Sequence, residues 1–151
     1  MNNNFAEEYK MCKAIDAAYQ LGQEKGDQAM IEAAQTSMKQ FNKMMVQKGE
    51  TYCTVYRLYA EAQDRGNAYP DLRENIWDRD VKALIDAFRE YGINHFTFSS
   101  GWTNTVETAW LFLQNGCKLE GMVELYGDPK ISFTSGGLEY ETVRGYLFSV
   151  G

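Results

Sequence analysis

Apolar residues recur at spacings of three and four through the first third of the chain. Phe5, Tyr9, Cys12, Ile15 and Tyr19 fall on one face, which predicts a helix over residues 5–21. Gly22 and Gly26 bracket the turn that follows, and Asp27 is placed to cap a second helix. The stripe of that helix is Met30/Ile31, Ala34, Met38, Phe41 and Met45, and Gly49 ends it. The pair predicts an αα-hairpin. Residues 51–65 carry two patterns. Tyr52, Val55, Tyr56 and Tyr59 fit a helix, while the β-branched and aromatic content fits a strand. The run A-E-A-Q-D-R-G, strong helix formers before Gly66, decides for helix. Residues 67–72, with Tyr69-Pro70-Asp71, read as a loop and hinge.

The back half changes period. Ile76/Trp77, Val81, Leu84/Ile85 and Phe88 predict a helix over 74–91, stopped at Gly92. Residues 93–100 follow as a strand, with Phe96 and Phe98 on one face and Thr97 and Ser99 on the other. Ser100 or Thr103 caps a helix that runs to Asn115, with Glu107 reaching back to the cap. Leu119, Gly121, Val123 and Leu125 alternate along a second strand. Gly127-Asp128-Pro129 and Gly136-Gly137 predict irregular chain, and 144–150 gives a last strand with Tyr146, Phe148 and Val150 on one face. The order α-β-α-β-β predicts two parallel strands joined by a right-handed crossover, with the last strand antiparallel at an edge. The fold class is therefore α+β: an N-terminal helical part over 1–66, then an α+β part over 74–151 with a small mixed three-stranded sheet, in a single domain, 1–151. Alternation and helical spacing converge on a core of Phe96, Phe98, Val106, Trp110, Leu113, Val123 and Phe148.

The stretch I-W-D-R-D-V-K-A-L-I-D-A-F-R-E-Y-G-I-N-H-F-T-F-S-S-G-W-T-N-T-V-E-T-A-W-L-F-L-Q-N-G-C-K-L-E-G-M-V-E resembles a family of uncharacterised small proteins of intestinal Firmicutes and their phages and plasmids. The preceding R-L-Y-A-E-A-Q-D-R-G-N and the closing G-Y-L-F-S-V fit the same pattern. The resemblance covers residues 57–124 and the extreme C-terminus, and leaves 1–50 and 127–143 outside. It implies kinship and origin, not chemistry. Small accessory proteins of mobile elements often inhibit a host or antiphage defence system, so that role is what the resemblance suggests.

Composition narrows the chemistry. The 151 residues carry a net charge of −6, spread evenly, with no basic patch; direct nucleic-acid binding is not expected. Cys12, Cys53 and Cys117 lie far apart, and His95 is the sole histidine, so neither a metal site nor a Ser/His/Asp-type triad is expected. No cofactor motif is present. Sparse cysteines, no readable leader and no run of 18 apolar residues predict a cytoplasmic protein away from membranes. Glu107, Glu120 and Glu124 read as capping or solvated carboxylates.

Two candidate surfaces remain. Ser99, Ser100, Gly101, Trp102, Thr103 and Asn104 join a strand to a helix start, where unpaired N–H groups favour an anion. The same residue types are what an ordinary N-cap uses, which is the more economical reading. Trp102 in that turn, and Met44 or Met45 on the second helix, are candidates for contact with a protein partner or a second copy. The functional expectation is a non-enzymatic binding protein of a mobile genetic element, inhibiting a defence system by protein–protein contact. The alternative is a small-molecule or nucleotide-sequestering protein that uses the helix start after Ser99.

Overall fold

Gly26, at φ 62°, ends the first helix of the computed structural model, which describes residues 3–73, 76–99, 105–131, 134 and 136–151. Only glycine adopts that left-handed geometry without a Cβ penalty. Helix α1 (Phe5–Lys25) thus runs four residues past the predicted stop. Gly22 does not break it; a Cβ there would sit 3.0 Å from Ile31 Cγ1, so the glycine serves the close approach of α2 (Gln28–Lys48). Asp27 caps α2 as expected, accepting the Met30 N–H at 3.2 Å. Helix α3 (Glu50–Arg65) confirms the helical choice for the ambiguous segment.

The chain divides into two compact units, 3–56 and 57–151, with the break inside α3. In the first, Phe5, Ala34, Phe41, Met45, Tyr52 and Val55 are buried together with the carboxylate of Glu8. Glu8 accepts from the Tyr52 hydroxyl and from Lys48 Nζ, the latter at 2.8 Å. A carboxylate withdrawn from water needs such partners.

In the second unit, β1 (Asp71–Leu72), β2 (His95–Phe98), β3 (Lys118–Ile131) and β4 (Leu138–Ser149) form one sheet in the order β1-β2-β4-β3. Helices α4 (Val81–Glu90) and α5 (Thr105–Gln114) complete it. The fold class is α+β, with four strands among the described residues where three were expected. β1 pairs parallel with β2, inside the segment expected as a loop. The predicted parallel neighbours β2 and β3 are separated by β4, which pairs antiparallel with both. Closing the short turn between β3 and β4 costs little chain entropy, so they form a long hairpin, and β4 brings its other edge to β2. That hairpin runs through 127–131 and 138–143, expected as irregular chain. A register shift between Tyr126 and Pro129 absorbs Gly127 and Asp128, and Pro129 is tolerated because β3 is an edge strand.

The predicted face of β2 and β4 holds for Phe96, Phe98 and Phe148, but Val123, assigned to the same core, lies on the opposite face with Thr97 and Leu125. Phe96 and Phe148 stack at 5.4 Å, and Phe112 meets Phe96, Phe98 and Phe148 edge-on at 5.0–5.2 Å. The predicted face of α5 does not hold. Thr108 and Phe112 point inward, while Val106, Trp110 and Leu113, assigned to the core, are exposed. Val123 is half-buried. Helix α4 begins at Val81 after a single 3₁₀ turn (Asp78–Asp80), seven residues later than expected. Trp77 before it is extended and 66% exposed.

Candidate functional site

β4 covers one side of β3, and among the described residues no strand covers the other. Backbone groups alternate along a strand, so every second residue of β3 turns its N–H and C=O away from β4. One contact fixes which. The Tyr126 N–H donates to Asn67 Oδ1 at 2.8 Å, and the Tyr126 carbonyl accepts from Asn67 Nδ2 at 2.9 Å. Tyr126 therefore faces outward, and so do Glu124 and Met122 in the same register. β4 gives an independent check: its Val150-side neighbour pattern turns even residues toward β2, with the Val150 N–H on the Asn94 carbonyl at 3.0 Å. Odd residues of β4 then bond Val123 and Leu125 of β3. Among the described residues, nothing bonds the outward groups of Met122 and Glu124.

Beside this edge lies a cavity of about 340 Å³. Ala68, Tyr69, Val123 and Leu125 give it apolar walls, and Thr97, Asn67 and the edge of β3 complete it. The loop forming one wall is held by a polar network. Asp71 accepts the hydroxyls of Thr97 at 2.7 Å and Ser99 at 2.6 Å. Arg73 reaches Asp71 at 3.7 Å and also pairs with Asp128 in the β3 bulge, which Arg65 approaches at 3.6 Å. Burial pushes the Asp71 carboxyl above its usual range, against the Ser99 and Thr97 hydroxyls that pull it down. The network ties the end of α3, β1 and β2 to the bulge.

A second exposed feature is the outer stripe of α5. Val106, Trp110 and Leu113 are 80%, 59% and 42% exposed, at spacings that line one helical face. Leu119, Met122 and Tyr146 are exposed in the sheet of the same unit.

The sequence candidates fall as follows. The Ser99 hydroxyl is committed to Asp71. Ser100, Gly101, Trp102, Thr103 and Asn104 lie outside the described residues, as does any cap that Glu107 would reach. Met45 is buried in the helical unit, so of the methionine pair only Met44 reaches the surface, in a groove of about 310 Å³ with Met11, Ile15 and Phe41. His95 Nε2 lies 3.3 Å from Glu120 and its ring 5.5 Å from that of Tyr69. Among the described residues, no three His, Cys, Asp or Glu side chains gather as metal ligands, and no helix is long and apolar enough to cross a membrane. Asn67 and Met122 were not singled out from the sequence, and Glu124 reads there only as a solvated carboxylate. The signal that could have found them is the N-A-Y-P turn chemistry before a strand-length apolar alternation, but which edge stays open depends on the strand order.

No curated protein and no solved structure matches the chain. A family described as a domain of unknown function, DUF7698, matches residues 54–150. The match runs through 127–143, the hairpin segment that the sequence resemblance left outside, and ends with β4. It contains the open edge of β3, its Asn67 stop and the stripe of α5, and the chain belongs to the DUF7698 family.

Proposed function

We propose that this chain is a non-enzymatic binding protein of a mobile genetic element, acting in the cytoplasm by protein–protein contact to inhibit a host or antiphage defence system. The observation that carries the reading is the exposed stripe Val106–Trp110–Leu113 on α5. A tryptophan left 59% exposed on a helix whose other face is fully packed is an anchor for a partner surface. The resemblance of residues 57–124 to small proteins of gut Firmicutes, their phages and plasmids is what suggests the setting. The small-anion alternative is weakened at Ser99, where an anion would meet the Asp71 carboxylate.

The test is capture from host lysate by the tagged full chain against its Trp110→Ser variant, with circular dichroism confirming equal folding. The reading expects a discrete protein retained by the wild type and depleted at least tenfold by the substitution. Equal capture by both forms would remove α5 from the account, and no specific capture by either would remove the binding reading.

A further inference from the structure

From the geometry at β3 we infer a peptide-binding site: its edge between Met122 and Glu124 takes an extended segment of a partner protein as an added strand, with one apolar side chain of that segment in the neighbouring cavity. The inference deepens the protein-binding reading and rests on it. The N–H and C=O of Met122 and of Glu124 point outward, roughly 7 Å apart along the strand, which is the repeat of an extended backbone. That pattern of alternating donors and acceptors is met by another strand, as in strand-addition complexes generally. Beside it, Tyr69, Val123 and Leu125 line a cavity of about 340 Å³, room for an apolar side chain.

Asn67 stands against a second copy of this chain paired symmetrically about Val123. It closes the edge at Tyr126 by filling both of that residue's backbone positions. A two-fold antiparallel pairing with Val123 on its axis would bring Glu120 of the second β3 opposite Tyr126, where Asn67 stands. The added strand is therefore a short segment that stops before Tyr126. Glu124 on the edge and the net charge of −6 favour a cationic one.

The probe is a fluorescein-labelled heptapeptide alternating Val and Lys, with a Val/Glu counterpart. Two N-methylated forms of the Val/Lys peptide complete the set, one methylated at every Val nitrogen and one at every Lys nitrogen. Along a strand, only one of those two sets of N–H groups faces β3. Titration of the ¹⁵N-labelled full chain should give saturable shifts at the Met122 and Glu124 amides. One methylated form should bind at least tenfold more weakly and the other nearly unchanged, and the Val/Glu peptide should bind more weakly than Val/Lys. The Met122→Pro variant should keep its fold, because the lost N–H faces outward, and should lose peptide affinity about tenfold. If that variant does not fold, the methylated peptides still decide, since they leave the protein untouched. Absent shifts at 122 and 124, or equal losses for both methylated forms, would overturn the site. Tighter Val/Glu binding would overturn the cationic assignment. Concentration-dependent shifts at those amides without peptide, at dimer mass, would assign the edge to a second copy instead. Failure here with specific capture from lysate intact would sink this site alone; no specific capture at all would sink the binding reading on which it rests.

Discussion

The Asn67 side chain bonds both backbone groups of Tyr126, accepting its N–H at 2.8 Å and donating to its carbonyl at 2.9 Å, as a neighbouring strand would. A carboxamide has one acceptor and a donor in the same planar arrangement as a peptide unit, so it can stand in for one residue of a strand. An exposed edge strand invites uncontrolled pairing, and one side chain here closes the edge at Tyr126.

Asn67→Ala removes both bonds. Both bonds are exposed, so the expected loss is about 1–2 kcal/mol in total, toward the low end of about 0.5–1.5 kcal/mol per bond. Urea denaturation measures it. Asn67→Asp keeps the acceptor but sets a carboxylate oxygen against the Tyr126 carbonyl, so it should cost at least as much as Asn67→Ala. A variant as stable as the parent would show that the side chain does not hold the edge.

Phe112 and Trp110 should separate cleanly. Phe112 is fully buried against Phe96, Phe98 and Phe148, so Phe112→Ala should cost about 3–5 kcal/mol. Trp110 is largely exposed, so Trp110→Ala should change stability by about 0.5 kcal/mol or less. Comparable losses for the two would return Trp110 to the core.

That reversal explains what the sequence could and could not convey. T-A-W-L-F-L is apolar around most of the helix, so spacing offers two faces, Val106/Trp110/Leu113 and Thr108/Phe112, and prefers the one without a threonine. The structure takes the other because the Thr108 hydroxyl reaches Asp78 at 3.0 Å, a partner 30 residues away. Local signals carried what they could. Asp27 as a cap, α3 as a helix, and Phe96 and Phe98 on one face of a strand were legible because each depends on near neighbours. Strand order was not, because the insertion of β4 between β2 and β3 is a long-range pairing with no local mark. Since the open edge follows from that order, the candidate site was invisible for the same reason. Gly127-Asp128-Pro129 misled further: the residues of a turn also make a bulge inside a strand.

The helical unit should be alkali-sensitive. Burial, then the hydrogen bond to Glu8, raises the Tyr52 hydroxyl above its ordinary value of 10.0. The bond to Glu8 raises Lys48 above 10.5 despite partial desolvation. Both folded-state values exceed the unfolded ones, so the folded chain holds protons that the unfolded chain releases. Their stabilisation is complete below about pH 10 and is lost as the pH rises through the raised values. Thermal denaturation at pH 8, 10 and 11 should show a steepening fall in melting temperature, and Tyr52→Phe should reduce the slope. A profile flat to pH 11 would contradict the cluster.

The open edge of β3 is the central claim, and residue-resolved amide hydrogen exchange in the free protein tests it most directly. Val123 and Leu125 bond β4 and Tyr126 bonds Asn67, so their amides should exchange slowly. Met122 and Glu124 should exchange at least a hundredfold faster, an alternation no other arrangement of the hairpin produces. Met122 and Glu124 amides as protected as those of Val123 and Leu125 would mean the edge is already covered, and the peptide site would be withdrawn.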